Sequence, residues 1–227
     1  MTLVGTYLFG SVARGDHDAS SDTDVLAVYR DAPNLIQREK FHRLIKSEFE
    51  TDVTIAEYSI QRLQEMFEQG HLFTWHLFQE AIPLKTSNLS PDSMLLFSQP
   101  APYTTGVVDA ERFIRLLVSI QRQLASSPGS LIHEAGLTYL ALRNIAMSIS
   151  ARDLPKIDFT RKAPFALSTA LGITAPCGVL DYIRLISARH ASQRGATAPV
   201  IEHRELRKIV DRSLLWAELL IGNTNAK

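Results

Sequence analysis

Cysteine is nearly absent: of 227 residues, only Cys177 carries a thiol. No internal disulfide can form, and a fold suited to a reducing cytoplasm is expected. Neither sign of charge is in excess, with 24 basic and 24 acidic residues. No global field therefore draws the chain onto nucleic acid, and any polyanion site must be a local patch. No uninterrupted apolar run of about 18 residues exists, which argues against a membrane-spanning helix. The N-terminus carries no basic stretch followed by a long apolar one, so no signal peptide is expected. Internal repeats and low-complexity tracts are missing as well. What is present is a 45% apolar composition, enough for a packed core in one large domain or two small ones.

The densest information lies near the N-terminus. An apolar run, residues 3–9, leads into Gly10-Ser11-Val12-Ala13-Arg14-Gly15. After a polar stretch, Ser21-Asp22-Thr23-Asp24 opens a second apolar run over residues 24–29. In a strand, residues i and i+2 share a face, so Asp22 and Asp24 project side by side. Two such carboxylates repel unless a cation lies between them. Hard oxygen ligands on rigid backbone suit Mg²⁺, which binds through one or two carboxylates together with substrate phosphates. Gly10 lets the backbone approach a phosphate, and Ser11 adds a hydroxyl and an amide as donors.

Gly10-Ser11, the spacer and Asp22-x-Asp24 resemble the signature of the polymerase-β-type nucleotidyltransferase superfamily. The form Phe9-Gly10-Ser11-x-Ala13-Arg14-Gly15 is similar to its small, minimal branch. The resemblance implies a third carboxylate on a neighbouring strand, and Asp52 in Thr51-Asp52-Val53-Thr54 fits that place. It implies nucleotide contacts from Gly10, Ser11 and Arg14, with Ser21 as an extra donor. Arg14 has a competing use in a surface pair with Asp16 or Asp18. The family usually carries a helix before the first strand, whereas here that strand begins almost at Met1.

Further along, helical spacing of Leu35, Ile36, Phe41, Leu44 and Ile45 predicts a helix over 34–48. Residues 51–57 read as a third strand, with Val53 and Ile55 facing away from Asp52 and Thr54. Residues 59–80 read as a helix pair broken near Gly70. His76 and Glu80 stand one helical turn apart, too few for a zinc site, and the aromatic face there reads as core. Ala81-Ile82-Pro83-Leu84-Lys85 reads as a short edge strand. Proline, serine and threonine from Asn88 to Thr105 mark a linker or lid-like loop. The expected organisation is α/β (α+β): a mixed-sheet nucleotidyltransferase domain over 1–97, a linker over 98–106 and an all-α bundle over 107–227. Helices are expected over 107–125, 130–150, 163–171, 178–191 and 201–221, with 130–150 central and buried.

A small nucleotidyltransferase followed by a helical bundle resembles a known pairing in which the bundle is HEPN-like. Some such bundles are RNases with an Arg-x4–6-His motif. Here Arg143-Asn144 has no histidine at 148–150, so RNA cleavage is not expected. Arg143 in so apolar a helix needs a partner, expected to be Glu134 or Asp153, with a role in a cleft as the alternative. Arg204, Lys208 and Arg212 form a basic stripe, and Arg152, Lys156, Arg161 and Lys162 a second concentration. Such runs are mostly solvated faces.

The resemblance implies an enzyme that moves a nucleoside monophosphate from a nucleoside triphosphate to an acceptor. Two Mg²⁺ ions would be held by Asp22, Asp24 and Asp52. A macromolecular acceptor, RNA or protein, is expected, since the minimal branch includes toxin–antitoxin and anti-phage members. A homodimer is compatible with this reading. An aminoglycoside acceptor is the alternative, with Glu111, Glu134 and Asp181 as available acidic groups. A non-catalytic nucleotide-binding regulatory module is a third reading, disfavoured because all three carboxylates are present.

Overall fold

The computed structural model describes residues 3–18, 21–31, 33–84, 98–126 and 129–222. The chain divides into two compact units, Met1–Thr104 and Thr105–Lys227. Of the stretch from Asn88 to Thr105, residues 88–97 lie outside the described residues, as does Lys85. Among the described residues no helix is long and apolar enough to cross a membrane.

The first unit is built on a four-stranded mixed sheet. Its strands are β1 (Leu3–Phe9), β2 (Thr23–Tyr29), β3 (Val53–Ser59) and the two-residue β4 (Ile82–Pro83), in the order β3-β2-β1-β4. β2 runs antiparallel to β1 and parallel to β3, and β4 closes the edge beside β1. Pro83 is tolerated there because an edge strand leaves one side of its backbone unpaired. The parallel pair needs a crossover, supplied by α2 (Leu35–Ser47). Asn34 starts that helix with a capping box: its side chain accepts from Gln37 N at 2.9 Å, while its own N–H donates to the Gln37 side chain at 3.3 Å. Helices α3 (Ile60–Glu68) and α4 (Leu72–Glu80) follow β3.

Strand alternation divides the core. Tyr7, Phe9, Leu26 and Val28 pack with Leu63, Phe67 and Leu77 of α3 and α4. On the opposite face Val25, Ala27 and Tyr29, with Val53 and Ile55 at their edge, pack with Phe41 and Ile45 of α2.

The stretch after β1 starts as one helical turn, α1 (Gly10–Arg14), because Ser-Val-Ala-Arg is helix-compatible and Gly15 ends it in a left-handed conformation. Two expectations need correction. β3 begins at Val53, so Asp52 stands just before the strand rather than on it. In α2 only Phe41 and Ile45 are buried, while Leu35, Ile36 and Leu44 are 75%, 78% and 55% exposed. One i, i+4 pair suffices to seat that helix on the sheet.

The second unit is helical: α5 (Gly106–Ser126), α6 (Leu131–Asp153), α7 (Ala163–Leu171), α8 (Val179–Arg194) and α9 (His203–Gly222). α6 packs against the four others, and Leu142, Ile145 and Ile149 are fully buried. Two buried polar side chains satisfy each other: Trp216 donates to the Ser168 hydroxyl at 2.8 Å, which donates to Pro164 O at 2.6 Å. Arg143 does not pair with Glu134 or Asp153. Its Nη2 donates to Phe159 O at 2.9 Å, and Asp153 is taken by Arg152. Cys177 is buried, and that burial, with Asp181 nearby, pushes its thiol up to about 12, leaving it unreactive. Arg204, Lys208 and Arg212 are exposed on α9.

The α3–α4 corner is a tight turn. Gly70 has φ +63°, and a Cβ there would lie 2.4 Å from both Ala101 O and Pro102 O. Gly70→Ala is therefore expected to cost at least about 2 kcal/mol, combining backbone strain with a clash against main chain. Urea unfolding measures this, and an unchanged midpoint would contradict it.

Candidate active site

The site grows from the β2–β3 register. Asp24 lies opposite Thr54, and Thr23 opposite Val53. Cross-strand partners share a face, so Asp24 and Thr54 stand on the α3/α4 side of the sheet. Asp22 is on the same side, since the Thr54 hydroxyl donates to its Oδ2 at 2.9 Å. The ladder continues one step outward through Thr23 N donating to Asp52 O at 2.8 Å. Asp52 stands one residue before β3 and is exposed. Beneath this edge the Thr23 and Thr51 hydroxyls share a hydrogen bond of 2.5 Å, pinning the two strand starts together.

On the other flank, Phe9 of β1 pairs with Asp24. The chain then turns sharply at Gly10, which has φ +76°. A Cβ on Gly10 would lie 2.5 Å from Asp24 Oδ2. Glycine is thus required twice, by its backbone conformation and by the carboxylate that occupies the place of a side chain. Ser11 follows, half-buried, at the start of α1. The turn closes by Asp16 N donating to Ser11 O at 3.1 Å and Gly15 N to Val12 O at 3.2 Å.

Ser21 is buried and closes the loop. Its hydroxyl donates to Asp18 Oδ1 at 3.1 Å and accepts from Asp18 N at 3.0 Å. Arg14 lies beside α1, with Nε on Asp16 at 3.1 Å and Nη1 on Glu80 Oε2 at 2.6 Å. Burial works against its charge, but Glu80 and Asp16 outweigh it and hold the guanidinium above its ordinary value.

The predicted residues therefore fall around one edge of the sheet. Asp22 and Asp24 share the face of Thr54, Asp52 adjoins them through its backbone bond to Thr23, and Gly10, Ser11, Arg14 and Ser21 belong to the adjoining turn. Among the described residues, no three carboxylate, imidazole or thiol groups gather closely enough to hold a metal ion. Asp22 accepts from the Thr54 hydroxyl. By type, Asp22 and Asp24 offer the hard carboxylate oxygens that Mg²⁺ takes, with Asp24 seated in the space Gly10 leaves.

The model of the family described as polymerase beta, nucleotidyltransferase matches residues 2–74. This segment is similar to a nucleotidyltransferase domain. The match takes in all seven predicted site residues and stops inside α4, leaving Glu80 and the second unit outside it. No curated protein matches the chain. Among solved structures, the chain is similar to a spectinomycin adenyltransferase from Enterococcus faecialis, solved with ATP and spectinomycin. The identity is 14%, covering 96% of this chain and 92% of that one, with a TM-score of 0.49.

Sequence reading of this segment assigned no role to Thr54, although its place beside Asp52 was legible. It set Glu80 one turn from His76 but missed the partner Arg14, 66 residues earlier. Gly10→Ala is expected to displace the Asp24 carboxylate and to cost about 1–3 kcal/mol of stability. Denaturant unfolding with a crystal structure of the variant checks both. Wild-type stability with Asp24 in place would refute the close approach.

Proposed function

We propose that this protein is a Mg²⁺-dependent nucleotidyltransferase that moves a nucleoside monophosphate from a nucleoside triphosphate to a macromolecular acceptor, RNA or protein. The observation that carries the reading is Asp24 opposite Thr54, with Asp22 bound to the Thr54 hydroxyl, beside the Gly10-Ser11 turn. That constellation lies wholly within the segment matched by the nucleotidyltransferase family. The macromolecular acceptor rests on the Phe9-Gly10-Ser11-x-Ala13-Arg14-Gly15 form of the motif, which resembles the minimal branch. A cytoplasmic setting, rich in Mg²⁺ and triphosphates, accords with the single reduced Cys177.

In this reading Asp22 and Asp24 would hold two Mg²⁺ ions, and Asp52 would complete the set that serves the acceptor. The ions, when bound, supply charge stabilisation to both the attacking and leaving oxygens. Gly10 keeps the main chain close to the terminal phosphates, and Ser11 offers its amide and hydroxyl. Arg14 adds a fixed positive charge. Ser21 shapes the loop through Asp18. The acceptor oxygen bonds the α-phosphorus as the bond to pyrophosphate breaks, so alignment is the main requirement placed on the protein. We read the second unit as a HEPN-like bundle without RNase chemistry. Its helices gather round α6, and no histidine follows Arg143 at the spacing that chemistry needs.

The test is incubation with each labelled triphosphate and Mg²⁺, using cell RNA, cell protein and aminoglycosides as separate acceptors. Label is expected on RNA or protein. Label on an aminoglycoside alone would replace the acceptor class while leaving the transfer reading intact. Asp22→Asn and Asp24→Asn should each lower transfer at least about 100-fold, because in-line positioning and charge stabilisation go together. Asp52→Asn should lower transfer while sparing triphosphate binding measured by calorimetry. Unchanged transfer in the Asp22 and Asp24 variants would end the enzymatic reading at this site.

A further inference from the structure

Glu80 is a buried carboxylate that the transfer chemistry does not use. Its side chain is 5% exposed, against 17% for Arg14 and 15% for His76. Its Oε2 accepts from Arg14 Nη1 at 2.6 Å and faces His76 Nε2 at 2.7 Å. A carboxylate so placed persists only when paired and hydrogen-bonded. The pairing reaches beyond local stability, because α4 grips α1 at both ends. At the start of α1, Phe9 packs edge-on against Phe73 (5.7 Å between ring centroids) and His76 (5.4 Å), both on α4. At its end, Arg14 is held by Glu80.

The guanidinium uses only part of its donor set on these two carboxylates. Nε is forked on Asp16, at 3.1 and 3.2 Å, and one Nη1 hydrogen is on Glu80. Arginine has five N–H donors, so three remain without a partner among the described residues. A guanidinium fixed by two carboxylates keeps its planar fork ready for phosphate oxygens at little further entropic cost.

We propose that Glu80 is a positioning residue that, with His76, holds Arg14 in place for the triphosphate of the nucleotide. The inference rests on the nucleotidyltransferase reading. It assigns α4 the task of splinting the phosphate turn, which the sequence motif alone does not contain.

The experiment uses the full chain with Mg²⁺ and ATP as the probe. Glu80→Gln keeps the shape of the side chain and removes its charge. It should weaken MgATP binding about tenfold by calorimetry, the scale of one charge-assisted hydrogen bond. In label transfer it should raise KM for ATP while kcat changes less than about threefold. Arg14→Lys, which keeps charge but loses the fork, should weaken binding similarly. In the Arg14→Ala background, Glu80→Gln should add nothing further, because it acts through Arg14.

A lowered unfolding midpoint with unchanged ATP affinity in Glu80→Gln would overturn the proposal, leaving Glu80 merely structural. Additive losses in the double variant would overturn it too. Should Glu80→Gln fail to fold, Arg14→Lys decides alone, and wild-type ATP affinity there would refute the proposal. If wild-type protein transfers label and Asp24→Asn abolishes it, while Glu80→Gln and Arg14→Lys match wild type in ATP affinity and KM, only this inference fails. If wild-type protein neither binds MgATP nor transfers label, the functional reading fails with it.

Discussion

The Asp24 carboxylate occupies the space where any residue but glycine at position 10 would place its Cβ. That contact joins three features which must coincide for the site to exist. The backbone at residue 10 must take a positive φ, the β1–β2 register must bring Phe9 level with Asp24, and β2 must emerge with Asp24 on the α3/α4 face. A one-residue slip in register would carry Asp24 to the α2 face and expose Val25 in its place. The apolar sorting of Leu26 and Val28 to one face and Val25, Ala27 and Tyr29 to the other opposes that slip. The same burial that stabilises the sheet thereby fixes the position of the carboxylates.

The remainder of the first unit supports this edge from two directions. On the β3 side the Thr23–Thr51 hydroxyl pair and the Thr54–Asp22 hydrogen bond hold the strand starts together. On the β1 side α4 holds the turn, through aromatic packing on Phe9 and the Arg14–Glu80 pair. Breaking a buried pair of this kind by removing one partner typically costs about 3–5 kcal/mol, because the remaining charge is stranded. The Gly10–Arg14 turn is therefore tied to α4 at both of its ends.

The strands and the carboxylates were legible because period-2 alternation is a local property. Asp22, Asp24 and Thr54 follow directly from it. The single turn of α1 was not, because four residues between two glycines carry no detectable period. In α2 the apolar residues Leu35, Ile36 and Leu44 suggested a broader buried face than the helix has. Periodicity reports which residues could be buried together, and the sheet decides which are. Arg14 shows the limit most clearly: its nearest acid in sequence, Asp16, is one partner, but the buried partner Glu80 is set by tertiary packing. Arg143 was expected to meet a carboxylate and meets a carbonyl, a group every residue has and no sequence pattern reveals.

The central claim is that the paired β2 carboxylates hold the metal that accompanies a nucleotide. Electron paramagnetic resonance of Mn²⁺, titrated as a Mg²⁺ substitute in the presence of ATP, tests it without reference to any acceptor. The account predicts protein-bound Mn²⁺ in the wild-type complex and its loss in Asp24→Asn with the fold intact. Mn²⁺ held equally well by a folded Asp24→Asn protein would contradict it.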